Sequence, residues 1–264
     1  MSILGKSIIL NTNSMINHFE ESEIPYGTLE RFGLTQEKIE DLPVDVLQNI
    51  YNGRLSLVLP ITITTEDGET ETARTRFSLE RTSEGGVDVL FYPKLDEYDL
   101  NLFNEQQKQR LLEGKAIIGY LESNEENKEA GGKRFFLIDP ESKQVLCVPM
   151  PVIGRDMQYV ADRYHLTGAE MQKLQNGDAL SILNDDDEEI TMGIDLNSKT
   201  GIRFAAGDEQ TWKREAKREW DKYNFGAFGC WVAEDGDLDY VHEEDYSEEM
   251  WQEQKKMGMR VMQR

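Results

Sequence analysis

The chain has 264 residues, of which 38% are hydrophobic, and 29 Lys and Arg against 51 Asp and Glu give it a formal net charge of −22. The apolar fraction is sufficient for packed cores and excludes wholesale disorder. The negative charge repels nucleic-acid backbones and anionic lipid heads, so we expect no direct binding to nucleic acid or to a membrane. Proteins with basic surfaces are the electrostatically favoured partners, although solubility alone explains the charge equally well.

The two cysteines and the first residues indicate an intracellular protein. Cys147 and Cys230 each lie in an apolar stretch, which favours buried reduced thiols over a disulfide or a nucleophile. The apolar stretch within residues 1–15 is too short for a signal peptide or a membrane span. We therefore expect a cytoplasmic protein.

Three short stretches of the sequence align without gaps: QNIYNG (48–53), QRLLEG (109–114) and QKLQNG (172–177). Glycine reaches the left-handed conformation at little cost, so Gly53, Gly114 and Gly177 are each predicted to stop a short helix. Asn104 and Thr167 stand where a capping side chain is wanted at the start of two of these helices, and Glu170 follows Thr167 at the spacing of a capping box. In the first copy Pro43 predicts a helix that is broken or starts again.

Each of these glycines is followed by an apolar, strand-like run, an acidic turn, a second strand, a short turn and a third strand. These signals are typical of strands joined by hairpin turns. The predicted fold class is therefore α+β, with three repeated helix-β-β-β units and a C-terminal helical segment. Its parts are an N-terminal segment (1–23), repeat unit 1 (24–98), repeat unit 2 (99–154), a linking helix with repeat unit 3 (155–207), and C-terminal amphipathic helices with an acidic loop (208–264).

The C-terminal part carries the features that point to a partner. A predicted helix over 208–223 has Asp208 as its N-cap and an apolar stripe of Trp212, Ala216, Trp220 and Tyr223. The run 234–249 holds nine acids without Lys or Arg, and a last helix has a Met-rich, adaptable apolar face. Core packing of the stripe, solvation of the acids and a frayed tail remain open as alternatives. The partner-binding candidates are Trp212, Trp220, Asp235, Asp237, Asp239, Met250, Trp251, Met257, Val261 and Met262.

The sequence predicts no catalytic, cofactor-binding or metal-binding residue. His18, His165 and His242 lie far apart, and no cysteine stands near them at a zinc-like spacing. The run that begins at Asp235 starts like a calcium loop, but Tyr240 occupies the position of the required glycine. Carboxylates are too numerous for one acid–base pair to be singled out. We therefore expect a protein that is not an enzyme, with a hydrolase of unrecognised site as a weaker alternative.

Several segments resemble known but uncharacterised domains. IPYGTLERFGLTQEKIEDL, NGRLSLVLPI and RFSLER resemble a domain of unknown function common in proteins of gut Bacteroidetes and their mobile elements. FNEQQKQRLLEGKAI and LTGAEMQKLQNGDALSI resemble a companion repeat, from which the third copy departs by having Asp178 where the second has Lys115. Across residues 24–205 the resemblance implies a prokaryotic cytoplasmic protein linked to conjugative elements or phage, and it carries over no catalytic residue.

Two functions are compatible with these features. The first is a non-enzymatic accessory or adaptor protein of a mobile element that binds another protein through its repeats and C-terminal helices. The second is an acidic decoy that imitates DNA phosphates and occupies the basic groove of a nucleic-acid-binding protein. Salt separates the two, because screening weakens contacts between exposed charges far more than apolar contacts.

Overall fold

The computed structural model describes the backbone of residues 10–11, 18–65, 67–82, 84–122, 131–198, 200–216, 221–234 and 237–262, and the side chains of these ranges apart from 10–11 and 259–262. Helices and antiparallel sheets are both present, which confirms the predicted α+β class. The chain divides into two compact units. One contains the short strand β1 (Leu10–Asn11) and Leu95–Arg218, and the other contains Ile16–Lys94 and Glu219–Arg264.

The first copy of the repeat contains three short helices and three strands. The elements are α1 (Tyr26–Glu30), α2 (Gln36–Glu40), α3 (Val44–Tyr51), β2 (Leu59–Thr64), β3 (Thr70–Arg81) and β4 (Val87–Pro93). The hydroxyl of Thr35 accepts a hydrogen bond from the backbone N–H of Lys38 and so caps α2. Pro43 is the residue directly before α3. The predicted restart of the helix at this proline is therefore confirmed.

The second copy has one helix and three strands in the predicted order. They are α4 (Glu105–Leu112), β5 (Ile117–Leu121), β6 (Gly132–Ile138) and β7 (Val145–Pro149). Asn104 caps α4 in a reciprocal arrangement with Gln107, in which each side chain bonds the other residue's backbone N–H. The strand β1 pairs in parallel with β7 and adds a fourth strand to this sheet.

A longer helix leads into the third copy. The elements are α5 (Met150–Arg163), α6 (Gly168–Gln175), β8 (Leu180–Leu183), β9 (Glu189–Ile194) and β10 (Ile202–Ala206). Thr167 and Glu170 form the predicted capping box at the start of α6. The linking helix α5 starts five residues earlier than the stretch RDMQYVADRY (155–164) that the sequence indicates. Of the four residues expected on its apolar face, Met157, Val160 and Ala161 are buried, whereas Tyr164 is only partly buried.

The repeat prediction is partly matched. Each copy has a helix stopped by a glycine and followed by three strands paired in the order first–second–third. Gly53, Gly114 and Gly177 have φ angles of 67°, 73° and 81°, which is the left-handed conformation expected at a helix end. The copies differ because two additional helices precede α3 and a parallel strand joins the second sheet.

The predicted C-terminal helical segment is wrong over much of its length. Here α7 (Glu209–Glu215) is followed by β11 (Tyr223–Phe225), β12 (Gly229–Glu234), β13 (Asp237–His242) and α8 (Glu248–Met262). Asp208 caps α7 as predicted, but Tyr223 lies on a strand and not on the helix stripe. The spacing of three and four residues between the apolar residues is typical of a helix. The region from Tyr223 onwards nevertheless forms strands, because β11, β12 and β13 pair with one another.

Each unit has its own hydrophobic core. The unit made of Ile16–Lys94 and Glu219–Arg264 is called the discontinuous unit below. In it, Trp231 and Leu238 from the C-terminal sheet share one buried cluster with Leu59 and Phe77 from the first copy. In the other unit, the core of the second copy includes Leu111, Ile117 and Phe136 together with Cys147. Strands β12 and β13 of the C-terminal sheet therefore complete a core that the first copy begins.

Both cysteines are buried, and neither forms a disulfide, as predicted. Burial raises the pKa of Cys230 to about 11. The thiol of Cys230 is therefore protonated at neutral pH.

Candidate protein-binding surface

The acidic residues Asp237 and Asp239 form ion pairs within their own unit. Lys94 donates to Asp237 at 2.9 Å, and Arg74 donates to both carboxylate oxygens of Asp239 at 3.0 and 3.1 Å. Arg74 also donates to the carbonyl of Leu238. The hydrogen bond from Lys94 is the main cause of a lowered pKa of Asp237. These ion pairs connect β13 to the sheet of the first copy. The side chains of Asp237 and Asp239 remain 38% and 63% exposed, so their part in partner binding stays a prediction.

The first turn of α8 packs against the C-terminal sheet. Met250 is buried in a small cluster with Cys230 and Tyr246, and the rings of Trp251 and Tyr246 lie 5.2 Å apart in an edge-to-face arrangement. Met257, two turns further on, is exposed over 37% of its surface. Among the described side chains of the predicted apolar face, Met250 is thus buried, Trp251 is partly buried and Met257 is exposed.

Trp212 is a core residue of the third copy. It is 9% exposed, its indole N–H donates to the carbonyl of Arg203 at 2.9 Å, and its ring lies 4.0 Å from the Arg203 guanidinium. A Cβ on Gly193 would overlap the Trp212 ring, so the indole lies directly on the backbone of β9. Trp212 is therefore corrected from a docking residue to a packing residue, which was the open alternative.

The other candidates from the sequence lie outside the described residues. They are Trp220 and Asp235, for which neither backbone nor side chain is described, and Val261 and Met262, for which only the helical backbone is described.

A buried carboxylate that the sequence did not reveal joins the two parts of the discontinuous unit. Asp41 is 5% exposed and accepts hydrogen bonds from the backbone N–H groups of Ala227 and Phe228 at 2.6 and 3.0 Å. The phenol of Tyr240 donates to the same carboxylate at 2.6 Å. A Cβ on Gly226 would overlap the Asp41 side chain, so the turn between β11 and β12 closes directly over it.

This arrangement is structural in character, because both oxygens of Asp41 already accept hydrogen bonds. Burial, followed by the bond to Asp41, raises the pKa of Tyr240 well above its usual range. Trp231 adds a second connection, since its indole N–H donates to the carbonyl of Lys38 at 2.9 Å. The sequence offers only Gly226 and Gly229 as a sign of a close approach and nothing that identifies residue 41.

An exposed aromatic surface lies at the end of α5. We call the group Tyr159, Arg163, Tyr164 and Phe204 the aromatic surface. Tyr159 is 65% exposed and Phe204 38% exposed, and the rings of Tyr164 and Phe204 lie 5.9 Å apart. The Arg163 guanidinium lies 5.8 Å from the Tyr164 ring. A hydrogen bond to Tyr164 is the main cause of a raised pKa of Arg163, which keeps this side chain charged.

The position of Tyr159 follows from the helix period. Met157 and Ala161 face the core, and a residue two positions from each points away from it. His165 then takes a left-handed φ of 52°, which ends the helix directly after Tyr164. The signal that could have revealed this site is an aromatic residue on the polar face of an amphipathic helix.

A second exposed feature is the acidic hairpin, which we define as residues 185–189 between and at the ends of β8 and β9. All five residues are acidic and exposed. The side-chain oxygen of Asn184 accepts from the backbone N–H groups of Asp186 and Glu188 and so holds the turn. Within the described residues, no Lys or Arg forms an ion pair with these carboxylates.

The described ranges hold no cluster of three or more His, Cys, Asp or Glu residues arranged to bind a metal ion. No described helix combines the length and apolar character that a membrane crossing requires.

The fold and these surfaces define a mixed α+β protein whose first copy is completed by its C-terminal sheet. Residues 19–102 match the model of a family described as protein of unknown function (DUF4099). This match confirms the predicted domain of unknown function, and it leaves the remainder of the chain uncovered. No curated protein and no solved structure matches the chain.

Proposed function

We propose that the protein is a non-enzymatic adaptor that binds another protein through the aromatic surface. The exposure of Tyr159 next to Arg163 carries this proposal, together with Phe204, whose ring contacts the neighbouring Tyr164. Tyr, Phe and Arg are enriched in the cores of protein interfaces, and clustered aromatic residues with an arginine are typical binding hot spots. Two of the competing candidates from the sequence, Trp212 and Met250, are buried.

The partner that we propose is a protein with a basic region at the edge of its contact surface. The net charge of −22 attracts such a partner over a distance and favours its approach. The resemblance of the N-terminal and repeat segments supports a cytoplasmic setting in a bacterium, in the service of a mobile element or phage.

The acidic hairpin favours a second candidate function, that of a DNA-mimic decoy for a basic groove. Asp185, Asp186 and Asp187 have no cationic partner among the described residues and are available to imitate phosphates. The C-terminal acids support this alternative less, because Asp237 and Asp239 are already paired with Lys94 and Arg74.

Affinity capture from an extract of the bacterial host, with quantitative mass spectrometry, tests the proposal. The tagged full chain is compared with the double variant Tyr159→Ala and Phe204→Ala and with the triple variant D185N, D186N, D187N. Tyr120→Ala is the matched control, because Tyr120 is 70% exposed on β5. Circular dichroism and thermal unfolding establish that each variant is folded.

We expect the double variant to retain about tenfold less of the main partner, which corresponds to a loss of about 1.4 kcal/mol of binding free energy. The triple variant and Tyr120→Ala should capture the partner as the wild type does. Loss of capture in the triple variant alone would support the decoy. Unchanged capture by the double variant would reject the aromatic surface.

A further inference from the structure

The glycine turns of the second and third copies meet inside their unit. Gly177 follows α6, and a Cβ at this position would overlap the carbonyl oxygen of Ala116. Ala116 lies two residues after Gly114, the equivalent glycine of the second copy. A hydrogen atom is therefore the only side chain that this approach of two backbones permits.

Charged side chains surround this backbone contact. Arg110 donates to the carbonyl of Asn176 at 2.6 Å and to the carboxylate of Asp178 at 3.2 Å. The ammonium group of Lys115 lies 3.6 Å from the same carboxylate. These three charged side chains are each about 30% exposed, so solvent screens their attraction only in part.

The arrangement is asymmetric although the two turns have the same pattern. Lys173 occupies the position in the third copy that Arg110 occupies in the second. Lys173 is exposed and forms no ion pair with the residues that the structure describes. Asp178 replaces the lysine that the second copy has after its glycine. Asp178, at which the third copy differs from the second, is therefore the residue that both Arg110 and Lys115 contact.

We propose that the glycine turn of this repeat is a docking surface for the glycine turn of another repeat. The two residues that directly follow the two glycines carry opposite charges, as Lys115 and Asp178 do. The pair Lys115 and Asp178 sets which copy docks on which, because a lysine at both positions would place like charges side by side. In this chain the glycine turn of the third copy lies against the backbone that follows the glycine of the second copy. The proposal is independent of the adaptor function.

The first test uses two glycines with the same backbone conformation. Gly114→Ala and Gly177→Ala each place a Cβ on a residue with a left-handed φ, of 73° and 81°. A Cβ at Gly114 meets nothing within 4 Å, whereas a Cβ at Gly177 meets Ala116. Gly114→Ala should lower the melting temperature by roughly 3 °C. Gly177→Ala should lower it at least twice as far, and equal shifts would contradict the backbone contact.

The second test asks whether the identity of residue 178 decides if Lys115→Glu speeds or slows hydrogen exchange. Lys115→Glu is made in the wild type and in Asp178→Lys, and hydrogen–deuterium exchange is measured in peptides that cover β5 and β8. In the wild type we expect Lys115→Glu to speed exchange about fivefold, and in the Asp178→Lys background we expect it to slow exchange by a similar factor. All variants are made in the full chain, and circular dichroism checks that each of them is folded.

Lys173→Glu is the control for the second test, because Lys173 lies at the equivalent position in the other copy. Its effect on exchange should be small and equal in the two backgrounds. The proposal fails if Lys115→Glu speeds exchange in both backgrounds, or if Lys173→Glu reverses its effect in the same way.

Discussion

The carboxylate of Asp41 accepts a 2.6 Å hydrogen bond from the phenol of Tyr240, which lies 199 residues further along the chain. The first residue belongs to the segment that matches the family model and the second to the C-terminal sheet. The buried Asp41 carboxylate accepts hydrogen bonds from two backbone N–H groups of the turn before β12 and from Tyr240 on β13. It therefore fixes the positions of the turn and of the strand. The family-matching segment is therefore completed in this chain by residues that the family model does not cover.

Removal of the Asp41 carboxylate should destabilise the discontinuous unit. Asp41→Ala removes the charged acceptor of the backbone N–H groups of Ala227 and Phe228 and of the Tyr240 phenol, and a hydrogen bond to a charged group contributes about 1.5–3 kcal/mol. We expect the free energy of unfolding to fall by about 2–4 kcal/mol in urea titrations. Glu37→Ala, an exposed change on the same helix, should alter it by at most about 0.5 kcal/mol. Similar values for the two variants would show that the carboxylate is not a structural connection.

Stability should decrease at alkaline pH because burial raises the pKa of Cys230 from its usual value of 9.0 to about 11. The folded thiol keeps its proton when the unfolded one has lost it, so the contribution is complete below pH 9. It is lost as the pH rises towards 11. The pKa of Tyr240 is raised as well, which extends the decrease to higher pH. Urea midpoints between pH 8 and 11 measure this slope.

Cys230→Ala is the control for the alkaline slope. The variant should be less stable at pH 8, because a buried side chain is truncated, but its stability should fall less steeply between pH 9 and 10. An unchanged slope would show that the Cys230 thiol titrates alike in the folded and unfolded chains.

Because the C-terminal sheet and the first copy share one core, we predict that a substitution that destabilises the sheet also destabilises the first copy. Trp231 is 1% exposed and packs in the same cluster as Phe77 on β3. Trp231→Ala should cost about 3–5 kcal/mol and should raise hydrogen exchange throughout β3. Met257→Ala, at an exposed position on α8, is the control and should leave exchange in β3 unchanged. Faster exchange confined to β12 would contradict a shared core.

The sequence predicts the repeats well because their signals are local. A helix end needs one glycine with a left-handed φ, and a capping box needs two residues three positions apart, as at Thr167 and Glu170. These signals are legible without knowledge of the rest of the fold. The starts of α4, α6 and α7 were predicted correctly for this reason.

The sequence predicts the C-terminal part and the candidate site poorly because both depend on distant residues. Tyr223 lies at a helical spacing from Trp212, yet its pairing with Val232 places it on a strand. In the sequence Asp237 does not differ from the many other acidic residues, because only the fold brings Lys94 beside it. The exposure of Tyr159 could have been inferred from its place between Met157 and Ala161, but the addition of Phe204 requires the fold.

Retention of the captured partner across a salt titration tests the proposed adaptor function most directly. The complex is washed in steps from 50 mM to 1 M NaCl, where the screening length falls to about 3 Å. Contacts through Tyr159 and Phe204 are apolar, so we predict that most of the partner stays bound at 1 M. Release of the partner below about 0.3 M NaCl, with unchanged capture by the Tyr159→Ala and Phe204→Ala variant, would contradict the proposal and favour an acidic decoy.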